Sequence, residues 1–267
     1  MLWNAKDGSV ALDGAQMDYA RFGSGRKNLV ILPGLSDALT SVKGKALLLA
    51  PGYKLFYDAY TVWMFSRRDP LLPGAGIRGM AADQAEALRR LGVEKAAVMG
   101  VSQGGMIAQC LAMDCPELVE KLVLAVTTPR ANDTVRSCVP GWIDMARRGD
   151  HKALMIDTAE KSYSPERLKK YRKLYPLLGR VGKPKSYDRF LANANAILAF
   201  DAAGELSRIA CPTLILGGEE DRIVGPEAAR ELAAAIPNSQ LHVYPGLGHA
   251  VYEEAKDFNR RVFDFIR

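Results

Sequence analysis

The chain has 267 residues, 48% hydrophobic, 25% charged and 8% aromatic, with a formal net charge of +6. That length supports one large α/β domain or two small ones with a full core, and the ordinary proportions exclude extended disorder. No run of roughly eighteen apolar residues exists, which excludes a membrane-spanning helix, and the N-terminal Met1-Leu2-Trp3-Asn4-Ala5-Lys6-Asp7 lacks the pattern of a secretory leader, so a cytoplasmic location is expected.

Residues 9–22 read as a hairpin: Val10-Ala11-Leu12, a turn at Asp13-Gly14, then the alternating Met17-Asp18-Tyr19-Ala20. Residues 28–32 form a short continuous apolar run, the pattern of a strand buried on both faces, ended by Pro33-Gly34. Residues 37–50 predict a helix, and 60–65 predict another buried strand with β-branched and aromatic enrichment. A loop over 66–79, rich in Pro and Gly, leads into an amphipathic helix in which Met80, Gln84, Ala87, Leu88 and Leu91 recur at helical spacing until Gly92. The apolar Ala96-Ala97-Val98-Met99 stops at Gly100, a helix-compatible run begins at Gly105, and 121–126 is one more strand. Strands that are apolar throughout and alternate with helices predict an α/β fold, a mostly parallel sheet with helices on both faces.

The alternation then breaks. Residues 128–203 contain no convincing strand, only helical runs over 142–148, 152–162, 165–174 and 187–200. It resumes with a strand at 213–216, a helix at 226–236, a strand at 240–244 and a final helix at 252–266. The expected organisation is a core of residues 1–127 and 204–267, interrupted by a helical cap, 128–203, over the sheet's carboxyl edge, where α/β ligands bind.

Residues 151–190 carry eleven Lys or Arg against four acids, a surplus that accounts for the whole net charge. A solvated helical face explains it most simply; the functional alternative is steering of an anionic substrate, an acidic partner or a membrane surface. No aromatic interleaving or nucleic-acid motif accompanies it. Cys110, Cys115, Cys138 and Cys211 have neither C-x-x-C spacing nor the density of a disulfide scaffold and read as reduced, mostly buried thiols. No P-loop, H-E-x-x-H or Cys/His cluster is present, so no metal and no cofactor are expected.

Chemistry concentrates at Gly100-x-Ser102-x-Gly104. A strand that turns at once into a helix crowds the turn, and glycines two residues either side remove the obstructing side chains. Ser102 is then held in a strained conformation with its hydroxyl above the sheet, where it can attack a carbonyl. A serine needs a base, and there are three histidines. His151 falls in the helical insertion and His242 inside a strand, whereas His249 follows a strand in the loop Pro245-Gly246-Leu247-Gly248-His249, on the edge where Ser102 lies. The orienting acid belongs past another strand, and Glu219, Glu220 and Asp221 compete for that role.

Gly100-Val-Ser-Gln-Gly-Gly105, the loop Gly218-Glu-Glu-Asp221 followed by Pro226, and Gly246-Leu-Gly-His249 together resemble the α/β-hydrolase superfamily, in its lidded serine esterase and lipase-like branch. The resemblance spans the chain from Met17 to the last helix. It implies Asp221 as the acid, with Glu219 and Glu220 as backups, and an oxyanion hole made by the backbone N–H groups of Gln103 and Leu35. The oxyanion loop usually begins His-Gly in this family, but Pro33 stands there here, so the loop's hydrogen bonding must be rearranged. Arg67 or Arg68, in the loop after the fourth strand, reads as structural. Serine at the elbow argues against dehalogenase and epoxide hydrolase chemistry, which rely on an aspartate at that place.

The resulting expectation is a carboxylesterase-like hydrolase of small-molecule esters forming an acyl-enzyme on Ser102. The same triad would also serve a lactonase, a thioesterase, a carbon–carbon bond hydrolase or a cofactor-free perhydrolase, and the basic insertion favours an anionic substrate. The competing class is a ligand-binding protein on the same fold with vestigial activity.

Overall fold

The computed structural model describes residues 2–72 and 74–267; Met1, which opens the N-terminal reading, and Pro73, within the loop 66–79, lie outside the described residues. The hairpin forms as β1 (Lys6–Leu12) and β2 (Ala15–Phe22), joined through Asp13-Gly14, where Gly14 takes a φ of 70° that a glycine adopts without penalty. β3 (Lys27–Leu32) follows.

The helix predicted over 37–50 does not form. A 3-10 turn, Leu35–Ala38, is followed by irregular chain with Gly44 at φ 73°, then by α1 (Ala46–Leu49) and another 3-10 segment, Ala50–Phe56. Competing hydrogen bonds are the cause: the Val42 N–H, which a helix would direct to the fourth residue back, donates to Ser66 Oγ at 2.9 Å.

β4 (Tyr60–Phe65), α2 (Ile77–Arg90), β5 (Ala96–Val101), α3 (Gln103–Asp114) and β6 (Val119–Ala125) then alternate as expected. Between β6 and the next strand lie α4 (Asp133–Arg147), α5 (His151–Ser162), α6 (Pro165–Tyr171) and α7 (Asp188–Leu198). The order β7 (Thr213–Gly218), α8 (Ala228–Ala235), β8 (Ser239–Tyr244) resumes the series. The last predicted helix is two, α9 (Val251–Glu254) and α10 (Phe258–Ile266), divided where Ala255 turns extended at φ −77°, ψ 115°.

The eight strands form one sheet in the order β1-β2-β4-β3-β5-β6-β7-β8. β1 pairs antiparallel with β2 and β2 with β4, and every other pairing is parallel. Every residue of β5 and of β7 is buried, as strands covered on both faces must be. One core packs α2, α3, α4, α5, α7 and α8 on one face; the other packs Phe56, Tyr60, Val251, Phe258 and Val262 on the opposite face. Parallel pairing brings the carboxyl ends of β3, β5, β6, β7 and β8 to a single edge. Among the described residues no helix is long and apolar enough to cross a membrane.

Candidate active site

Ser102 sits between β5 and α3 at φ 54°, ψ −120°. For a residue with a Cβ this is a strained region, held only where the surroundings over-determine it. Here they do. The Ser102 N–H donates to Ala125 O at 2.9 Å, and its carbonyl accepts from Gly105 N–H at 2.8 Å and from the Thr127 hydroxyl at 2.7 Å. Val126, at φ 44°, is a second left-handed residue without glycine's freedom, and its N–H donates to Leu216 O at 2.8 Å. The glycines are required by contact: a Cβ on Gly104 would lie 1.9 Å from Leu32 O, one on Gly100 2.4 Å from Gly104 O, and one on Gly105 2.6 Å from Thr127.

After β7 the three carboxylates separate by environment. Asp221 is buried, with Oδ1 accepting from the N–H groups of Ile223 and Val224 at 2.9 and 3.0 Å and Oδ2 lying 2.8 Å from His249 Nδ1. Glu219 and Glu220 are exposed, and the Glu219 carboxylate accepts from Gly246 N–H instead. His249 is itself buried, with Nδ1 committed to Asp221 and Nε2 left for the cavity that Ser102 also lines. The other two histidines are elsewhere. His151 Nε2 lies 2.8 Å from Val181 O, and His242 packs edge-on against Tyr244, its pKa lowered by burial and by Arg261.

Leu35 opens the 3-10 turn after β3 and Gln103 opens α3, so neither N–H has an acceptor within its own helix. Gly34 presses against the serine: a Cβ there would be 3.3 Å from Ser102 Cβ. Arg67, fully buried, donates through Nη2 to Pro33 O and, at 3.1 Å, to Gln103 Oε1, tying the β3 loop to the elbow. Burial lowers the Arg67 pKa to about 10, Asp37 opposing and Arg189 reinforcing that shift. Asp37 accepts from Ser66 Oγ at 2.6 Å, Arg67 N–H at 3.1 Å and Arg189 Nη2 at 2.8 Å. Arg68 is structural in a different way, pairing with Asp83 at 2.9 Å. Nothing in the sequence singles out Asp37, which falls within the predicted helix, or Arg189, one of eleven cations in 151–190.

The cavity has a volume of about 140 Å³. Gly34, Leu35, Ser102 and His249 lie at one side of it, residues of α4, α5 and α7, such as Val139, Trp142, Leu154 and Phe190, line much of the rest, and Met106, Ile223, Val224 and Tyr252 contribute as well. No Lys or Arg of 151–190 is among its lining residues. Arg172 pairs with Glu160 and Lys161 with Asp157, none of them lining the cavity. Burial raises the thiol pKa of Cys110 to about 11 and of Cys138 to about 12, so both are inert near neutrality. Among the described residues no His, Cys, Asp and Glu cluster could hold a metal ion.

The model of the alpha/beta hydrolase fold family matches residues 66–256. The chain belongs to that family, and at the level of enzyme class it is a hydrolase. It is 31% identical over 266 residues to the 2-hydroxy-6-oxononadienedioate/2-hydroxy-6-oxononatrienedioate hydrolase 2 of Pseudomonas putida, covering 94% of this chain and 92% of that one. It is 27% identical to the 2-hydroxy-6-oxo-6-phenylhexa-2,4-dienoate hydrolase of Burkholderia cepacia, over 66% of this chain and 64% of the relative. Among solved structures, an alpha/beta hydrolase from a Medee basin deep-sea metagenome library superposes with a TM-score of 0.83 at 21% identity, covering 97% of each chain. The enol-lactonase of Burkholderia xenovorans LB400 superposes with a TM-score of 0.80 at 20% identity, covering 97% and 99%.

Proposed function

We propose that the protein is a serine hydrolase that cleaves a carboxylic ester or related acyl substrate through an acyl-enzyme on Ser102. The observation that carries this reading is the His249 Nδ1–Asp221 Oδ2 contact of 2.8 Å at the wall of a cavity that Ser102, at the end of β5, also lines. Ser102 Oγ attacks the carbonyl carbon while His249 Nε2 takes its proton. Asp221 holds the imidazolium, and the N–H groups of Leu35 and Gln103 receive the oxyanion. Collapse expels the leaving alcohol with the proton from His249, and water, deprotonated by the same nitrogen, releases the acid. Residues 128–203 act as the cap that excludes bulk water. A fluorophosphonate is expected to label Ser102 stoichiometrically, and Ser102→Ala is expected to lower turnover of an activated ester by about 10⁴-fold or more. Wild-type turnover by Ser102→Ala refutes the reading; absence of labelling in folded protein supports a ligand-binding protein instead.

A second reading, hydrolysis of a carbon–carbon bond next to a ketone, is favoured by the likeness to the Pseudomonas putida hydrolase over nearly the whole chain. The same groups serve it, with a carbon leaving group protonated in place of an alkoxide. Disappearance of the conjugated 2-hydroxy-6-oxodienoate absorbance on adding enzyme separates the two readings.

A further inference from the structure

Nothing in the cavity wall carries a formal charge except His249 when protonated. Leu35, Met106, Val135, Trp142, Leu154 and Phe190 present hydrocarbon or aromatic surface, and no Lys, Arg, Asp or Glu lines it. Of the hydroxyls that reach it, two on α5 are spent on their own backbone, Thr158 Oγ1 donating to Leu154 O at 2.8 Å and Ser162 Oγ to Thr158 O at 2.7 Å, while those of Ser36 and Tyr252 add uncharged polar groups to the wall. The Trp142 indole N–H donates to Asp157 Oδ2 at 2.7 Å. Arg189 reaches the turn after β3, where Nη1 and Nη2 donate to Asp37 and to Arg67 O, but it is not among the lining residues. A carboxylate carried into this space loses its water and meets no cation, a cost that desolvation leaves uncompensated. The volume sets the size: a cavity near 150 Å³ walled by aliphatic and aromatic side chains admits a molecule as large as benzene, about six heavy atoms.

We infer, resting on the acyl-enzyme reading above, that the site selects uncharged, apolar acyl groups of about six carbons and rejects acyl groups that end in a carboxylate. The basic surplus of 151–190 therefore does not mark an anionic substrate. The inference also separates this chain from the Pseudomonas putida relative, whose name specifies a dioate: no wall residue here supplies the countercharge for a second carboxylate.

The test compares 4-nitrophenyl hexanoate with the 4-nitrophenyl monoester of hexanedioic acid, which differ only in a terminal methyl or carboxylate. At pH 7.5 kcat/KM is expected to favour hexanoate by at least a hundredfold, and 4-nitrophenyl dodecanoate is expected to fall at least tenfold below hexanoate. Met155, half-buried on α5 and facing the cavity, offers the converse arm: Met155→Arg, with its fold checked by circular dichroism, is expected to move the ratio at least tenfold toward the monoester. Equal rates on the two esters, with Ser102 still labelled by fluorophosphonate, overturn the inference and leave the serine hydrolase intact. No labelling and no turnover of either ester overturn both.

Discussion

At Ser102 the backbone is held in place by neighbours that have no room for one more atom. A methyl on Gly104 would sit 1.9 Å from Leu32 O and 2.6 Å from Pro33 O, both backbone atoms of the loop that leads to Leu35. Gly104→Ala is therefore expected to destabilise the fold by roughly 1–3 kcal/mol and, by displacing that loop, to lower kcat as well. Gly141, in α4 with open space around it, provides the contrast: Gly141→Ala is expected to raise stability by about 0.5–1 kcal/mol with kcat unchanged. Thermal unfolding of the two variants beside ester kinetics checks both. The spacing around Ser102 was legible because sterics demand it wherever a strand meets a helix that tightly. The proposed acid was not legible from spacing, since Glu219, Glu220 and Asp221 are adjacent; what distinguishes Asp221 is a turn that aims two N–H groups at it.

Among the elements, strands were the most readable, because β3, β4, β5 and β7 are buried on both faces and leave unbroken apolar runs. The stretch after β3 was the least readable. Its length and composition permit a helix, but its polar groups bond to Ser66 and Arg67, partners about thirty positions away that no local pattern encodes. That same irregular stretch carries the Leu35 N–H, and Arg67 fixes it by holding Pro33 O and Gln103 Oε1 together. If the Leu35 N–H receives the oxyanion, as proposed, Arg67 is a positioning residue. Arg67→Met keeps the bulk of the side chain and removes the donors, and is expected to lower kcat by roughly 10- to 100-fold with KM nearly unchanged, since an oxyanion donor acts in the transition state. Fluorophosphonate labelling should slow in proportion, and Arg67→Lys should recover part of the loss. A variant that lost stability but kept its kcat would show that Arg67 only holds the fold.

Across the whole molecule, the helical insertion is stitched to each loop that carries a proposed catalytic group. At the start of α4, Asn132 Nδ2 donates to Val224 O at 2.7 Å, in the acid loop. At the end of α5, Ser162 O accepts from Ala250 N–H at 3.0 Å beside His249, and Ser164 Oγ donates to Glu254 at 2.6 Å. From α7, Arg189 reaches Asp37 and Asn193 O accepts from Gln103 Nε2 at 3.1 Å. We expect an insertion held at three places to work as a fixed wall whose positions set the loops beneath it. The strongest stitch is Arg189, because Asp37 is 1% exposed and Arg189 18%. Removing it leaves a buried carboxylate with Ser66 and Arg67 alone, a loss of about 1–3 kcal/mol for a charged hydrogen bond. Arg189→Met is therefore expected to lower Tm by roughly 3–8 °C for a chain of this length, to speed amide exchange in α7, and to reduce kcat through the loosened turn at Leu35. Arg172→Met, which removes an exposed pair with Glu160 on the same insertion, is expected to leave Tm and kcat unchanged. Equal behaviour of the two variants in thermal unfolding and hydrogen exchange would mean that the insertion does not govern the loops it touches, and that its contacts with Asp37 and Gln103 follow from the packing of α7 alone.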